Sequence, residues 1–423
     1  MNHFEAREGA LWCEGVSLEA LAHAVGTPLY VYSTATLVRH YQAFASALAE
    51  HPSLGTPSIA YAVKANSNLS VLATLARLGA GADTVSEGEI RRALAAGIPA
   101  SKIVFSGVGK TETELRYALE VGVAQINIEA RPEFDRLAGI AKHLGVSATV
   151  CFRVNPDIGA GGHAKITTGA ADNKFGVSLS EAEQLYAAAA SAGMRAVGLA
   201  CHIGSQITDL APLAAAFVVL RDLVARLRAS GLTVERLDLG GGLGAPYFNA
   251  PDPPSPSEFA AMVAEIFAGL DLELAFEPGR VIAANAGVLL ASVIHLNDRP
   301  DGRRFVVLDT GMNDLVRPAM YDAFHDIRAV RPRPGTASPC DVVGPVCETG
   351  DTFAKARRLA PLEAGDLVAF MTAGAYGAVM SSEYNSRPLV PEILVDGRRW
   401  AIIRRRPDYA EMMAREPRAP WLG

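Results

Sequence analysis

The sequence predicts an α/β protein: a (β/α)8 TIM-type barrel followed by a second, mostly β C-terminal domain. Two observations carry this. Apolar, strand-like runs end near Lys64, Ser86, Ser106, Glu129, Asn155, Ser205, Gly242 and Glu277, and alanine- and leucine-rich helical stretches separate most of them. Eight strand–helix units over roughly 220 residues are the count and length such a barrel requires. After Arg280 the rhythm changes: 288–296, 305–308, 367–371 and 400–404 read as strands with no long helices between them,. The expected domains are 31–280 and 281–423, with 1–30 able to join the second. Periodicity alone leaves a doubly wound sheet as the alternative.

Composition narrows the function. A chain of 423 residues exceeds one ordinary core,. Half apolar and a fifth charged is globular composition,. The net charge of −6 argues against nucleic-acid or polybasic membrane partners,. No run reaches the ~18 apolar residues of a membrane span, and residues 1–15 lack the apolar region of a signal peptide,. The five cysteines (13, 151, 201, 340 and 347) are odd in number and scattered, without C-x-x-C spacing. That pattern fits reduced thiols in a cytoplasm and no metal site.

Taken in order, residues 1–28 form a preamble ending at the turn Gly26-Thr27-Pro28, before a strand at 29–32 and a helix at 34–49,. The next apolar run closes on Tyr61-Ala62-Val63-Lys64-Ala65-Asn66. A lysine at the C-terminal end of a barrel strand faces the catalytic side, and its amine can form a Schiff base with a carbonyl. Taken alone, a lysine snorkelling into water is the better reading. Lys64, Asp83, Ser86, His202, Ser205, Gly240 to Gly242, Glu277 and Arg280 all fall at or just past predicted strand ends, which share one face in a barrel,. Gly240 to Ala245 formally fits G-x-G-x-x-A, but Pro246, Pro251, Pro253 and Pro254 prevent a helix from following. The dinucleotide reading is therefore rejected. Three adjacent glycines still offer open backbone N–H groups to a phosphate, or simply a tight turn. Glu277-Pro278-Gly279-Arg280 sets a carboxylate beside a guanidinium, suited to a pyridinium nitrogen and an anion,. In the second domain stand Arg317-Pro318-Ala319-Met320-Tyr321, Cys347-Glu348-Thr349-Gly350-Asp351 and Gly374-Ala375-Tyr376-Gly377. A cysteine beside acids is a better proton donor than thiolate nucleophile. The three-proline segment 329–340 reads as a surface loop, and the charged tail 405–423 as partly disordered,.

In their order and spacing, these motifs resemble those of the alanine-racemase-like, fold-type III pyridoxal-phosphate decarboxylases, from Phe4 to about Gly397. His163-Ala164-Lys165-Ile166-Thr167-Thr168-Gly169 and Lys174-Phe175-Gly176 resemble the branch that acts on meso-diaminopimelate. Ornithine-type relatives carry aspartate where this chain has Glu348, and many members have serine at Thr349. The resemblance implies pyridoxal 5'-phosphate held by Lys64, with His202 stacked on its ring and Glu277 at its nitrogen. Ser205 and Gly240, Gly241 and Gly242 would bind its phosphate, and Asp83, Gly279, Arg280 and Tyr376 would complete the cofactor's surroundings. Arg280, Arg317, Tyr321, Tyr376 and Glu348 would bind substrate, and Cys347 would return the proton. It further implies a homodimer in which Cys347 and Glu348 complete the neighbour's site, and conversion of meso-2,6-diaminopimelate to L-lysine and CO2. The alternatives are the same chemistry on ornithine, arginine, carboxynorspermidine or a carrier-bound amino acid, a racemase, or a cofactor carrier. The Cys347 motif disfavours the racemase, and the second domain disfavours the carrier.

Overall fold

The computed structural model describes residues 2–159, 168–169 and 173–422. Of the motif 163–169, only Thr168 and Gly169 lie among them. The chain divides into two compact units: 37–246 with 251–283, and 1–36 with 247–250 and 284–423.

The first unit is a closed barrel of eight parallel strands: Ser58–Ala62, Gly81–Thr84, Ile103–Phe105, Gln125–Ile128, Thr149–Arg153, Arg195–Ala200, Arg236–Asp238 and Glu273–Phe276. The last closes on the first, with Ala275 opposite Ser58 and Phe276 opposite Ile59. Six strands end within two residues of the expected positions, while Arg195–Ala200 and Arg236–Asp238 stop five and four residues before Ser205 and Gly242. Side chains alternate across a strand. Phe276 packs outward on Phe44 (5.9 Å between ring centroids) and Phe259 (5.8 Å) of helices Thr34–Ala49 and Pro256–Ile266. Its neighbour Glu277 turns into the barrel mouth. The helices start where side chains cap them. Ser86 caps Glu87–Ala95 through Glu89 N–H, and Thr111–Glu114 and Ser255–Glu258 form capping boxes. Ser86, one of the polar strand-end residues, is therefore structural.

The second unit is built on a sheet running in the order Thr352–Leu359, Ser338–Val343, Arg304–Leu308, Gly287–Asp298, Leu29–Ser33, Glu392–Asp396 and Arg399–Arg404. Leu367–Phe370 pairs with Gly287–Asp298 and with Ile327–Ala329. The preamble belongs here: Phe4–Arg7, Ala10–Cys13 and Val16–Ser17 form a small sheet, and helix Leu18–Val25 packs Leu18 and Leu21 into a core with Val31, Val288 and Ile393. The boundary expected at 31 therefore moves to 37. Leu29–Ser33 is buried along its length because it pairs on both sides, Tyr32 with Gly287 and Tyr30 with Glu392. The expected loop 329–340 gives way to strand at Ser338. Its Pro339 is tolerated because the parallel pairing with Arg304–Leu308 begins only at Asp341,. The tail is also ordered: helix Tyr409–Met413 carries an Asp408–Glu411 capping box and buries Met412. No helix among the described residues is long and apolar enough to cross a membrane.

Candidate active site

Lys64 sits in a 3-10 turn, Val63–Ala65, directly after the first barrel strand. Its Nζ donates to Oδ2 of Asp83, which is fully buried on the second strand. The turn is held from the last strand's extension. Ala62 N–H donates to Pro278 O (3.1 Å), and a Cβ at Gly279 would lie 3.0 and 3.1 Å from the Cβ atoms of Ala62 and Ala65. Glycine in Glu277-Pro278-Gly279-Arg280 thus lets the lysine turn pack against the strand that carries Glu277.

The glycine run has an equally local cause. A Cβ at Gly240 would stand 2.4 Å from Cys201 O, at Gly241 2.3 Å from Glu277 O, and at Gly242 2.6 Å from Gly204 O. Gly240 and Gly242 also have φ of +64° and +111°,. The expectation of three open N–H groups is not met. Gly240 N–H donates to Asp238 Oδ1 (3.0 Å) and Gly241 N–H to His202 Nδ1 (3.3 Å). Adjacent strand ends therefore occupy two of the three donors. The hydroxyl of Ser205 receives both Nε (3.2 Å) and Nη2 (3.1 Å) of Arg280, so a hydroxyl and a guanidinium converge beside this turn.

Lys64, Ser106, Asn127, Arg153, Phe175, His202, Asp238 and Glu277 line a cavity of about 200 Å³ at the barrel mouth. Burial, reinforced by the Arg153 and Lys64 cations, holds the His202 imidazole well below its ordinary pKa, so the ring is neutral. Burial first, then the Asp238 and Asp83 carboxylates, pushes Glu277 well above the usual carboxylate range. Glu277 Oε1 is buried and without a hydrogen-bond partner.

Reasoning from the sequence passed over the polar interior. Arg153 donates to both oxygens of Glu129 (2.9 and 3.1 Å). Asp238, Gln125 and Asn127 form a further network. The available signal was the alternation Gln125-Ile126-Asn127-Ile128, with polar residues at every second position of a buried strand,.

In the second unit, Arg317 is buried, its Nη1 donating to Tyr247 Oη (3.0 Å) and His325 Nε2 (3.1 Å). His325 Nδ1 lies 2.9 Å from Met371 O, which can only accept, so this nitrogen carries the ring proton,. Tyr321 ends the same short helix, Arg317–Tyr321. Cys347 is the exposed cysteine; Cys13, Cys151, Cys201 and Cys340 are buried free thiols. Burial pushes Cys201 up to about 12, which makes it inert,. The turn that carries Cys347 is anchored by buried Asp351, which accepts from Val346 N–H and Met312 N–H, both 2.6 Å. Glu348 accepts from Tyr384 Oη (2.6 Å). Tyr376 has a left-handed φ of +55°, beside a glycine packed too closely for any side chain: a Cβ at Gly377 would meet Ala373 O at 2.6 Å,.

The barrel residues suit pyridoxal phosphate: an amine for its carbonyl, a neutral ring for its face, a hydroxyl and guanidinium for its phosphate. A buried carboxyl oxygen lacking a donor suits its ring N–H. Fold and side chains together define a pyridoxal-dependent decarboxylase barrel, and residues 34–284 match the family model "Pyridoxal-dependent decarboxylase, pyridoxal binding domain". The chain is 48% identical over 424 residues to the diaminopimelate decarboxylase of Zymomonas mobilis, covering 100% of both chains. The Helicobacter pylori diaminopimelate decarboxylase complexed with L-lysine superposes with a TM-score of 0.90 at 40% identity, over 94% of this chain and 98% of that one. The M. jannaschii diaminopimelate decarboxylase, also in complex with L-lysine, gives 0.95 at 34% identity over 100% of both. The chain belongs to the diaminopimelate decarboxylase family.

Proposed function

We propose that this protein converts meso-2,6-diaminopimelate to L-lysine and CO2, the last step of lysine biosynthesis. The observation that carries the proposal is likeness over the whole chain to diaminopimelate decarboxylases, two of them solved with L-lysine. When bound, pyridoxal 5'-phosphate supplies an electron sink for the pair left as the substrate carboxylate departs as CO2.

The chain's own groups hold and protonate. Lys64 Nζ would hold the cofactor's carbonyl carbon, with buried Asp83 keeping the amine aimed. His202, neutral, would lie against the ring face. Glu277 Oε1 would accept from the ring nitrogen. Ser205 and Arg280 would receive the phosphate beside the turn at Gly240, Gly241 and Gly242, whose first two N–H groups are engaged by Asp238 and His202, with Gly279 setting the Lys64 turn and Tyr376 at the cofactor's edge. Arg280, Arg317, Tyr321 and Tyr376 would bind substrate carboxylates, because a guanidinium can grip one through two N–H groups. Glu348 would meet the distal ammonium. Cys347 Sγ would deliver a proton to the carbon that lost CO2.

Cys347 and Glu348 lie exposed on a turn fixed from beneath by Asp351. An exposed, rigid reactive turn supports a homodimer in which it completes the neighbour's site. Four buried free thiols support a cytoplasmic location,. The test is CO2 release by cofactor-loaded protein offered meso-diaminopimelate, ornithine, arginine and lysine separately. Lysine formed from meso-diaminopimelate alone is expected; release from another amino acid instead would overturn the substrate assignment. Mixed dimers of Lys64→Ala and Cys347→Ala chains should regain activity that neither parent has.

A further inference from the structure

We propose that Glu277 works as half of a buried carboxyl pair with Asp238 that shares a single proton, and that Gln125 and Arg236 are positioning residues that keep this proton on Glu277 from the opposite end of the barrel. The inference rests on the reading that Glu277 faces the cofactor ring.

Three N–H donors converge on Asp238. Gly240 N–H reaches Oδ1 at 3.0 Å; Gln125 Nε2 and Asn127 Nδ2 reach Oδ2 at 3.2 and 3.4 Å. Glu277 lines the same cavity as Asp238, close enough for the two carboxyls to interact, and its buried Oε1 has no partner. Two carboxyls can hydrogen-bond only through a proton, and the oxygen atoms already surrounded by donors are the poorer place for it. Asp238 is therefore the carboxylate and Glu277 the acid. This leaves one net negative charge and one acceptor, Oε1, facing the mouth. The other charged groups around the pair are Lys64 and Asp83, from the first two strands, and Arg153 from the fifth.

What fixes the arrangement lies at the other end. A glutamine amide turned over would point Oε1 at Asp238 and repel it. Arg236, donor only, prevents this: its Nη1 donates to Gln125 Oε1 (3.0 Å) while its Nη2 is held by Glu273 (2.7 Å). Gln125 Nε2 also donates to Asn127 Oδ1 (2.6 Å), and Asn127 Nδ2 to Ser106 Oγ (3.0 Å), so the second amide has no freedom either. Glu273, Arg236 and Gln125 line a cavity of about 650 Å³ at the far mouth. The chain Glu273–Arg236–Gln125–Asp238–Glu277 thus runs the length of the barrel.

The test is infrared spectroscopy of the protonated-carboxyl band in cofactor-free protein across pH, assigned with Glu277→Gln and Asp238→Asn. The part of the band that is lost in Glu277→Gln should persist in the parent at pH 8 and above, beyond the range in which Glu89 gives up its proton. In Gln125→Leu and Arg236→Met, the pH at which the Asp238 band appears (the component missing from Asp238→Asn) should rise by about one unit or more, as expected when a charge-assisted donor is lost. Arg236→Lys, which keeps a donor, should restore much of it. In the loaded enzyme the acid limb of kcat should move up in step, with KM unchanged. No Glu277-dependent carboxyl band in the parent at pH 8, or an unmoved Asp238 protonation in both variants, overturns the proposal. A shift in the cofactor-free protein without any change in the loaded enzyme's absorbance or acid limb upholds the pair and overturns the placement of Glu277 at the ring.

Discussion

Glu89 offers a test in which the sign is fixed by the structure. It stands in the first turn of helix Glu87–Ala95, and its Oε2 accepts from Val85 N–H at 2.8 Å. Burial pushes its carboxyl from the usual 4.5 to about 7; the nearby Asp83 charge adds to this, and the Val85 hydrogen bond with Lys64 and Arg92 only partly opposes it. A carboxyl whose pKa is raised on folding favours the fold while it is protonated. Its contribution is fully present below about pH 4.5 and is lost as pH rises through about 7,. By pH 8 the difference amounts to about 3 kcal/mol. Glu89→Gln keeps an oxygen for Val85 N–H and removes the charge. The variant should therefore match the parent near pH 4.5 and exceed it at pH 8 by about 3 kcal/mol, or about 5–10 °C in the melting of the barrel. The assay is thermal unfolding of cofactor-free protein at both pH values, so that ligand linkage does not enter. Because two units need not unfold in one step, the comparison is of variant with parent for the same transition. Equal differences between variant and parent at the two pH values would refute the reasoning, as would a variant less stable at pH 8.

Three further substitutions probe different links. His325→Phe removes the acceptor that orients Arg317 Nη1, so KM for diaminopimelate should rise about tenfold with kcat and cofactor affinity near parental, as steady-state kinetics and cofactor titration would show,. Gly279→Ala places a methyl 3.0 Å from Ala62 Cβ and displaces the Lys64 turn; overpacking of this kind costs about 1–3 kcal/mol, and weaker cofactor binding by absorbance titration is the expected readout,. Phe259→Ala empties a site among Phe44, Phe217 and Phe276 and should cost the barrel about 3–5 kcal/mol in denaturant unfolding, with KM unchanged in the protein that remains folded,.

The barrel was legible because strands buried on both faces leave near-continuous apolar runs, and because helices between them announce themselves by composition. Lys64, His202 and Glu277 were legible because each closes such a run. The sheet of the second unit was harder. Thr352–Leu359 buries only Phe353 and Leu359 and reads Thr-Phe-Ala-Lys-Ala-Arg-Arg-Leu, with charges where a buried strand has apolar residues. The expected boundary at 31 cut through Leu29–Ser33, since nothing local tells which sheet a strand will join; its partners lie more than 250 residues away in sequence. The glycine run misled in a specific way. Its spacing suggested open N–H groups for an anion, whereas its glycines answer to carbonyls of neighbouring strand ends, which only the closed barrel brings near.

The polar interior explains why fold and chemistry are hard to separate here. Burying Gln125, Asn127, Arg153, Asp238 and Glu277 inside a barrel is unfavourable unless each finds partners. Almost every polar atom does: Arg153 with Glu129, Gln125 with Arg236, Asn127 with Ser106, Asp238 with Gly240. Among the described residues of the barrel, the buried carboxyl oxygens left without a partner are Asp83 Oδ1 and Glu277 Oε1. Each such atom costs about 1–3 kcal/mol. A network that satisfies its remote members and leaves unsatisfied two acceptors beside Lys64 is not the arrangement stability alone would select. Donors brought by a bound group would relieve that cost, and the same strand that turns Phe276 outward into the aromatic core turns Glu277 inward to meet them.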